Sequence, residues 1–230
     1  MQAVILSGGL GTRLKPFTEV IPKPLLPIGE KAVLEIQIEH LQKQGFDRII
    51  LATNYKSEYI ENFFGDGSKY GVSLIISREE QPLGTAGPIS LLRDRLTEPF
   101  LVMNGDILTL CKYRELYDYA CSRESLLTIS TKEMLTPYQF GNIFTDGDYV
   151  TGIDEKPDIR MTILAGIYIF KPELLELIPY NQFYGMDTLI KSMLQQGMPI
   201  THYAIREYWL DIGRIDDYEK AQSVYKEHFQ

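Results

Sequence analysis

Strand-like and helix-like segments alternate through the first half of the chain, and this order constrains the fold more than any other feature. Short apolar runs bounded by polar residues indicate buried strands, and apolar residues at helical spacing indicate the helices between them. The expected strands are residues 2–6, 48–53, 72–77 and 100–103, and the expected helices are residues 33–46, 55–64 and 86–93. This order predicts βαβ units and therefore an α/β fold with a Rossmann-like, doubly wound, mainly parallel sheet.

The second half has a different pattern, which predicts an antiparallel part beside the parallel sheet. Asp146 and Gly147 form an Asp-Gly pair, a strong signal for a two-residue hairpin turn. The other expected elements are strands at 126–131, 163–170 and 200–205 and helices at 112–123, after Pro172, at 186–196 and at 215–229. No repeat, low-complexity segment or linker interrupts the chain, so we expect residues 1–230 to form a single domain.

Composition and charge limit the partners and the compartment. The net charge of −8 argues against nonspecific binding to nucleic acids or anionic membranes, although a local basic pocket can still hold an anion. Cys111 and Cys121 fit no metal or redox spacing and are expected to be reduced thiols. The chain shows no signal peptide, and its longest notable apolar stretch, residues 163–170, is too short to span a bilayer. These features predict a cytoplasmic protein.

The first expected strand runs into a glycine-rich loop, ILSGGLGTRL, which resembles a phosphate cradle. The dinucleotide fingerprint Gly-x-Gly-x-x-Gly fails because Leu14 stands where its third glycine is needed. A Walker A loop fails because the chain contains no Gly-Lys pair. Glycine amides with the guanidinium of Arg13 could still bind an anion, and a simple turn is the alternative.

The next segment, LKPFTEVIPKPLLPIG, contains four prolines, at 16, 22, 24 and 27. Each proline fixes φ and removes a hydrogen-bond donor, so we expect a stiff loop that is neither helix nor inner strand. Lys23 lies between two of these prolines. A rigidly placed ammonium beside an anion-binding loop suits a triphosphate site, and a solvated surface lysine is the alternative.

These two segments together resemble the signature of the sugar-1-phosphate nucleotidylyltransferases, also called nucleotide-sugar pyrophosphorylases. Further motifs of that family follow in order and cover essentially the whole chain: PLGTAG (82–87), NGD (104–106), FG (140–141), EKP (155–157), AGIYIF (165–170) and WLDIGRIDDYEKA (209–221). The resemblance implies the nucleotide-diphospho-sugar transferase type of fold with a small antiparallel sugar-binding part. It also implies nucleotide-sugar synthesis, as in the making of cell-surface polysaccharides.

In that family a nucleoside triphosphate and a sugar 1-phosphate react to give a nucleotide-diphosphate sugar and pyrophosphate. Such a reaction needs positioning and charge stabilisation more than a side-chain nucleophile, and no Ser/His/Asp or Cys/His set is apparent. By resemblance, the catalytic residues are Arg13, Lys23 and Asp106. The nucleotide-binding residues implied are Leu6, Gly8, Gly9, Gly11, Thr12, Arg13, Lys23, Glu79, Pro82, Gly84, Thr85, Asn104 and Gly105.

The same resemblance implies a magnesium site and a sugar-phosphate site. Asp106 and Asp211 would hold Mg²⁺, which prefers carboxylates and phosphate oxygens. The two aspartates are far apart in sequence, so their meeting follows from the family and not from spacing. The residues implied for the sugar 1-phosphate are Gly141, Glu155, Lys156, Ala165 and Gly166.

The base is decided by the residues near the PLGTAG motif. Glu79 stands three residues before Pro82, where uridylyl- and thymidylyltransferases of this family tend to have glutamine. An ionised carboxylate only accepts hydrogen bonds, and guanine presents adjacent N1–H and N2–H donors, so GTP is favoured. The sequence EEQPLGTAG also looks like mannose- and heptose-type guanylyltransferases. Gln81 is an alternative reader of a pyrimidine, so UTP, CTP or dTTP remains an alternative.

Two other classes of protein are weighed against this enzyme. A glycosyltransferase on a similar sheet would use an Asp-x-Asp metal motif, which we take the chain to lack. A binding or regulatory module without turnover would lack Arg13, Lys23 or Asp106, and all three are present. Self-association into a homo-oligomer stays open, because a surface helix has the same pattern whether it is wet or paired.

Overall fold

A seven-stranded mixed sheet lies at the centre of the protein in a computed structural model that describes residues 1–54 and 56–229. The strands are β1 (Gln2–Leu6), β2 (Pro27–Ile28), β3 (Lys31–Ala32), β4 (Arg48–Thr53), β5 (Ser73–Arg78), β6 (Phe100–Asn104), β7 (Ile107–Thr109), β8 (Leu127–Pro137), β9 (Asn142–Asp146), β10 (Tyr149–Asp154), β11 (Asp158–Phe170), β12 (Ile200–Ala204) and β13 (Trp209–Asp211). The helices are α1 (Phe17–Val20), α2 (Val33–Lys43), α3 (Ser57–Phe64), α4 (Gly87–Ser90), α5 (Tyr113–Cys121), α6 (Met186–Gln195) and α7 (Ile215–His228).

The strand order of the central sheet is β12-β8-β11-β6-β1-β4-β5. Strand β1 pairs in parallel with β4 on one side and with β6 on the other, and β11 alone runs antiparallel to its two neighbours. The chain therefore builds the sheet outward in both directions from β1, which confirms the doubly wound, mainly parallel prediction. In such sheets ligands bind beyond the carboxyl ends of the strands, where the strand order reverses.

The inner strands β1, β4 and β6 are buried because helices cover both faces of the sheet. Ala3 and Ile5 of β1 pack into one apolar core with α2 and α5, whereas Val4 packs into a second core with α4 and α6. Successive side chains of a strand point to opposite faces, so a continuous apolar run indicates a strand covered on both sides. This burial makes the carboxyl edge of the sheet a rigid base for loops. Within the described residues, every helix is too short or too polar to cross a membrane.

An antiparallel arm, residues 132–164, extends beyond the central sheet. It consists of the outer halves of β8 and β11 and of the β9–β10 hairpin, and nearly all of its residues are exposed. The arm confirms the predicted antiparallel part, although β8 and β11 are longer than the predicted strands. The hairpin turn is Gly147–Asp148 instead of Asp146–Gly147, because Asp146 pairs with Tyr149 and Gly147 has a positive φ of 57°. Glycine at the first turn position adopts that φ without strain.

Several predicted helices differ from the observed ones. The helix predicted from Tyr55 begins at Ser57, and Tyr55 itself lies outside the described residues. The helix predicted at 86–93 is shorter in the structure, where only α4 is helical. Gly87 and Pro88 are poor helix formers, and the chain turns after Ser90. The helix predicted after Pro172 is a 3₁₀ helix, Pro172–Leu177, whose bonds span three residues, as from the Leu174 amide to the Lys171 carbonyl.

The prediction that the proline-rich segment holds no helix was wrong in detail. Single helical turns form in it at α1 and at Lys23–Leu25. Pro16 precedes α1 and Pro24 lies in the first turn of Lys23–Leu25, where a missing amide hydrogen costs nothing. The segment therefore consists of short turns joined at its prolines.

Candidate active site

Two adjoining cavities lie beyond the carboxyl ends of β1, β4, β5 and β6. The smaller encloses about 220 Å³ and the larger about 410 Å³. Both are lined by Leu6, Gly9 and Asp106, so they form one cleft with two ends. The cleft lies at the point where the strand order reverses, next to the carboxyl ends of β1 and β6.

The smaller cavity is the basic end of the cleft. Arg13 and Lys23 line it together with Thr12, Gly105 and Asp106. Gly11 also lines it and has a φ of 61°, and a Cβ there would lie 2.8 Å from Cγ2 of Thr18. The glycine is thus required both by its backbone conformation and by the close approach of Thr18. All three predicted catalytic residues therefore open into one cavity.

The ammonium of Lys23 donates a hydrogen bond to Oδ2 of Asp106, across 83 residues of sequence. The Lys23 side chain is only 12% exposed, and the flanking Pro22 and Pro24 are buried. Pro22 and Pro24 thus hold the backbone on either side of the lysine. The proline-rich segment therefore presents the cation toward the carboxyl end of β6, where Asp106 lies.

The second aspartate reaches this place through a small antiparallel pair, β7–β13. Asp211 pairs with Ile107, the residue after Asp106, and the Ile212 amide donates to the Asp106 carbonyl at 2.9 Å. Burial, and then the charge of Asp106, raise the pKa of Asp211, while Lys23 and Arg13 act in the opposite sense. The two aspartates are therefore neighbours, as the resemblance implied.

The two aspartates offer ligand atoms that a cation would use. Oδ1 of Asp106 and Oδ1 of Asp211 are both buried, and neither has a hydrogen-bond partner among the described residues. A buried carboxylate oxygen without a partner is costly, and a divalent cation would satisfy both. Hard cations such as Mg²⁺ take oxygen ligands of this kind. The residues present therefore fit a magnesium ion.

The larger cavity is less polar and contains the predicted base-binding residues. Glu79 follows β5 and accepts a hydrogen bond from the Leu83 amide at 3.0 Å on Oε2. Burial raises the pKa of Glu79, and the Leu83 bond opposes that rise. Oε1 faces Gly8, where an added Cβ would lie 2.9 Å from it. The remaining predicted residues that line this cavity are Pro82, Gly84, Thr85 and Asn104.

The PLGTAG segment is fixed by the segment before α6. The amides of Ala86 and Gly87 both donate to the Tyr184 carbonyl, and the Met186 amide donates to Oγ1 of Thr85. Gly84 has a φ of 80° and its added Cβ would lie 2.8 Å from the Tyr184 carbonyl oxygen. This wall of the larger cavity is consequently rigid.

The predicted sugar-phosphate residues divide into two groups. Ala165 and Gly166 are buried beside the cleft. Gly166 lies close to Asn104, which lines the larger cavity, since an added Cβ on Gly166 would lie 2.7 Å from Nδ2 of Asn104. The indole of Trp209 holds this segment by donating to the Ala165 carbonyl at 2.9 Å. Gly141, Glu155 and Lys156 instead lie exposed on the arm and line neither cavity, with Gly141 next to the Glu155 carboxylate.

Sequence reasoning missed other residues that line the cleft. Ser7 is buried in the wall of the smaller cavity with a hydroxyl that has no partner among the described residues, and Gly213 also lines that cavity. Asn54 and Phe183 line the larger cavity, and Phe183 is 72% exposed. Ser7 lies inside the glycine-rich motif and could have been noticed there. No pattern in the sequence indicates Phe183.

One Asp-x-Asp sequence does occur, Asp146-Gly147-Asp148, so the expectation that the chain lacks one was wrong. These residues lie at the exposed turn of the β9–β10 hairpin, and neither aspartate lines the cleft. A glycosyltransferase would need its metal-binding aspartates at the nucleotide site. The motif therefore gives no support to that alternative.

Comparison with known proteins identifies relatives over nearly the whole chain. The chain is 34% identical to the probable mannose-1-phosphate guanylyltransferase 1 of Oryza sativa subsp. japonica over 98% of its length. It is 35% identical to the D-glycero-alpha-D-manno-heptose 1-phosphate guanylyltransferase of Aneurinibacillus thermoaerophilus, covering 96% of this chain and 97% of that protein. The crystal structure of HddC from Yersinia pseudotuberculosis complexed with GMP-PN has a TM-score of 0.76 and 32% identity, covering 97% of this chain and 99% of that one.

These relatives confirm the resemblance and the fold that the sequence predicted. The chain spans 64% of the length of the rice protein, whereas it matches nearly all of the heptose enzyme. The family described as Nucleotidyl transferase matches residues 2–228. This match spans both ends of the cleft, β7–β13 and the arm, and the chain belongs to the nucleotidyl transferase family.

Proposed function

We propose that the protein joins GTP to a sugar 1-phosphate, giving a guanosine-diphosphate sugar and pyrophosphate. The observation that carries the proposal is that Arg13, Lys23 and Asp106 line one cavity at the carboxyl edge of the sheet. Relatives named as guanylyltransferases for mannose 1-phosphate and for a heptose 1-phosphate support the substrate class. A hexose, hexosamine or heptose is the expected sugar.

The proposed reaction is an in-line displacement at phosphorus. A phosphate oxygen of the sugar 1-phosphate attacks the α-phosphorus of GTP, the new P–O bond forms, and the bond to the bridging oxygen breaks. The electron pair of that bond leaves with pyrophosphate. Two polyanions must approach one another, so positioning and charge stabilisation supply most of the catalysis.

Each catalytic side chain has a part in this scheme. Arg13 and the amides of Gly8, Gly9 and Gly11 would hold the β- and γ-phosphates as they become pyrophosphate. Lys23 would lie against the α-phosphate and stabilise the added charge of the transition state. Its pairing with Asp106 supports this role, because the lysine is already held inside the cleft.

Magnesium is the proposed cofactor, with Asp106 and Asp211 as its protein ligands. When bound, Mg²⁺ neutralises charge on the phosphate oxygens. The buried, unpartnered Oδ1 atoms of both aspartates support this assignment.

The base is proposed to be guanine because Glu79 has an acceptor-only carboxylate in the larger cavity. Oε2 retains a free lone pair beyond its bond from Leu83, and Oε1 faces the cavity wall at Gly8. Both oxygens could accept from the N1–H and N2–H groups of guanine. UTP, CTP and dTTP remain the alternatives to test.

The sugar 1-phosphate is proposed to bind between Ala165–Gly166 and the arm. Ala165 and Gly166 would contact the sugar, with Gly141 offering a backbone group and Glu155 accepting from sugar hydroxyls. Lys156 has a positive φ of 48° and would bind the sugar phosphate. A positive φ is a strained conformation for a lysine. Lys156 lies at the turn between β10 and β11, directly after Glu155.

A panel of substrates tests the proposal. Pyrophosphate release should be measured with Mg²⁺, each of GTP, UTP, CTP and dTTP, and hexose, hexosamine and heptose 1-phosphates. We expect release with a pair containing GTP, and we expect Asp106→Ala to abolish it while the protein remains folded. Release with UTP but not with GTP would contradict the base assignment and leave the reaction class intact.

Three further expectations belong to this proposal. The chain is expected to act as a single domain in the cytoplasm, in nucleotide-sugar synthesis for cell-surface polysaccharides. Self-association is supported by exposed apolar side chains on the arm, including Phe140, Tyr149 and Val150. Light scattering after size-exclusion chromatography measures the oligomeric state, and subcellular fractionation tests the location.

A further inference from the structure

Gln37 is a buried polar residue of α2 that contacts the backbone on both sides of Asp106. Its side chain is 3% exposed and lines neither cavity of the cleft. Nε2 donates to the Asn104 carbonyl at 3.1 Å and to the Ile107 carbonyl at 2.7 Å. These two carbonyls flank Gly105 and Asp106, so a single amide group clamps the turn that carries the aspartate.

The clamp completes a set of bonds around this turn. The Gly105 amide donates to the Leu6 carbonyl at 2.9 Å, and the Ile212 amide donates to the Asp106 carbonyl. The turn is therefore tied to β1, to the residue after β13 and, through Gln37, to α2. Because the backbone around Asp106 is held on several sides, its carboxylate is directed to one place, as a metal ligand requires.

The orientation of the Gln37 amide follows from its partners. Reversing it would place Oε1 against two carbonyl oxygens, and an oxygen cannot donate to either of them. As oriented, Oε1 is buried and has no partner among the described residues. The amide group thus satisfies two backbone carbonyls at the expense of leaving its own oxygen unpaired in a buried place.

We propose that Gln37 is a positioning residue, which holds Asp106 in the orientation needed to bind the divalent cation. This inference rests on the proposed function, because it assigns the metal to Asp106. Gln37 does not touch the reacting atoms, and it acts only through the two carbonyls beside the aspartate.

The test replaces the amide with an apolar group of similar shape. Gln37→Met removes both hydrogen bonds, and we expect the affinity for Mn²⁺ to fall about tenfold or more, as is common when a group supporting a metal ligand is lost. Binding of Mn²⁺ to the protein is measured by electron paramagnetic resonance of the free ion. The Mg²⁺ concentration for half-maximal pyrophosphate release should rise by a similar factor, with the KM for GTP at saturating Mg²⁺ little changed.

Gln2 provides a matched control, because it also uses Nε2 to donate to one backbone carbonyl, that of Arg95 at 3.2 Å, at the opposite end of β1. Gln2→Met should lose stability without a change in Mn²⁺ affinity. Should Gln37→Met fail to fold, Gln37→Asn keeps an uncharged amide but is one methylene shorter, so its nitrogen can no longer reach both carbonyls. Equal Mn²⁺ affinity in the Gln37 variant and the Gln2 variant would overturn the inference.

The wild type and Asp106→Ala separate this inference from the proposed function. Mn²⁺ binding that is lost in Asp106→Ala locates the metal, whatever Gln37 does. Wild-type protein that binds no Mn²⁺ through Asp106 would contradict the metal assignment itself. A bound metal with an unaffected Gln37 variant would contradict only the positioning role.

Discussion

Lys23, at the start of the turn Lys23–Leu25, donates a hydrogen bond to Asp106, the first aspartate after β6. This bond holds the two side chains together at one place in the cleft. The two residues lie on segments 83 residues apart. The pair brings an ammonium and a carboxylate into the smaller cavity, the groups that the proposed function assigns to a phosphate and to a metal.

We predict that Lys23→Met lowers the rate of pyrophosphate release by about 100-fold or more, the usual effect of removing one group that stabilises transition-state charge. The variant should also be less stable, since Asp106 loses its partner. Steady-state kinetics and thermal unfolding measure the two effects. Lys31→Met is the control, because Lys31 forms a comparable pair with Glu39 outside the two cavities. A similar loss of rate in both variants would contradict a catalytic role for Lys23.

Much of the fold follows from the sequence for physical reasons. The buried strands of the central sheet are short apolar runs, and the parallel order follows from the helices between them. The contacts of α4 and of the proline-rich segment were less predictable, because one or two hydrogen bonds decide between a turn and a short helix. The long arm strands were missed because their outer halves are exposed and carry no burial pattern.

The lining of the cleft was predictable in its glycine-rich loop and less so elsewhere. The role of Gly11 can be recognised from the sequence, because few residues other than glycine adopt its positive φ. Asp211 is different, because its place beside Asp106 depends on the three-residue pairing of β7 with β13, which no periodicity reveals. Gln37 was not identified either, because a glutamine in an amphipathic helix has no distinguishing sequence pattern.

We predict that Asp211→Asn stabilises the protein at pH 7 while it lowers turnover. The pKa of Asp211 is raised in the folded protein, above the value of about 3.9 in an unfolded chain. Both states are protonated at low pH; as pH rises the unfolded chain releases its proton first, and stability is lost until the folded group has ionised. Asparagine has no such loss. Unfolding temperatures measured from pH 3 to 8 should therefore converge at low pH.

Asp187→Asn is the control for this comparison, since the pKa of that exposed aspartate is lowered by Lys191. Removing the Asp187 charge should therefore give no gain in stability at pH 7. A wild type that is as stable as Asp211→Asn at pH 7 would show that Lys23 and Arg13 fully compensate the buried charge.

We predict that Glu79→Gln relaxes the choice of base. Glutamine presents both a donor and an acceptor, so the variant should accept UTP better and GTP worse than the wild type does. The preference of the wild type for GTP should also weaken as pH falls through the raised pKa of Glu79, because the neutral acid accepts less well. Competition between GTP and UTP measures the ratio of kcat/KM values. Glu80→Gln, at the exposed neighbouring position, should leave that ratio unchanged.

The last prediction concerns Trp209, whose indole donates to the Ala165 carbonyl. Trp209→Phe keeps an aromatic ring but removes this hydrogen bond, at a cost of about 1 kcal/mol, together with part of the packing of the indole against the core. We expect a several-fold higher KM for the sugar 1-phosphate and an unchanged KM for GTP, because Ala165 and Gly166 are assigned to the sugar and not to the base. Tyr117→Phe removes a similar bond, from the hydroxyl to the Pro99 carbonyl at 3.2 Å, and should change neither constant. A higher KM for GTP alone would place the Ala165–Gly166 segment at the nucleotide.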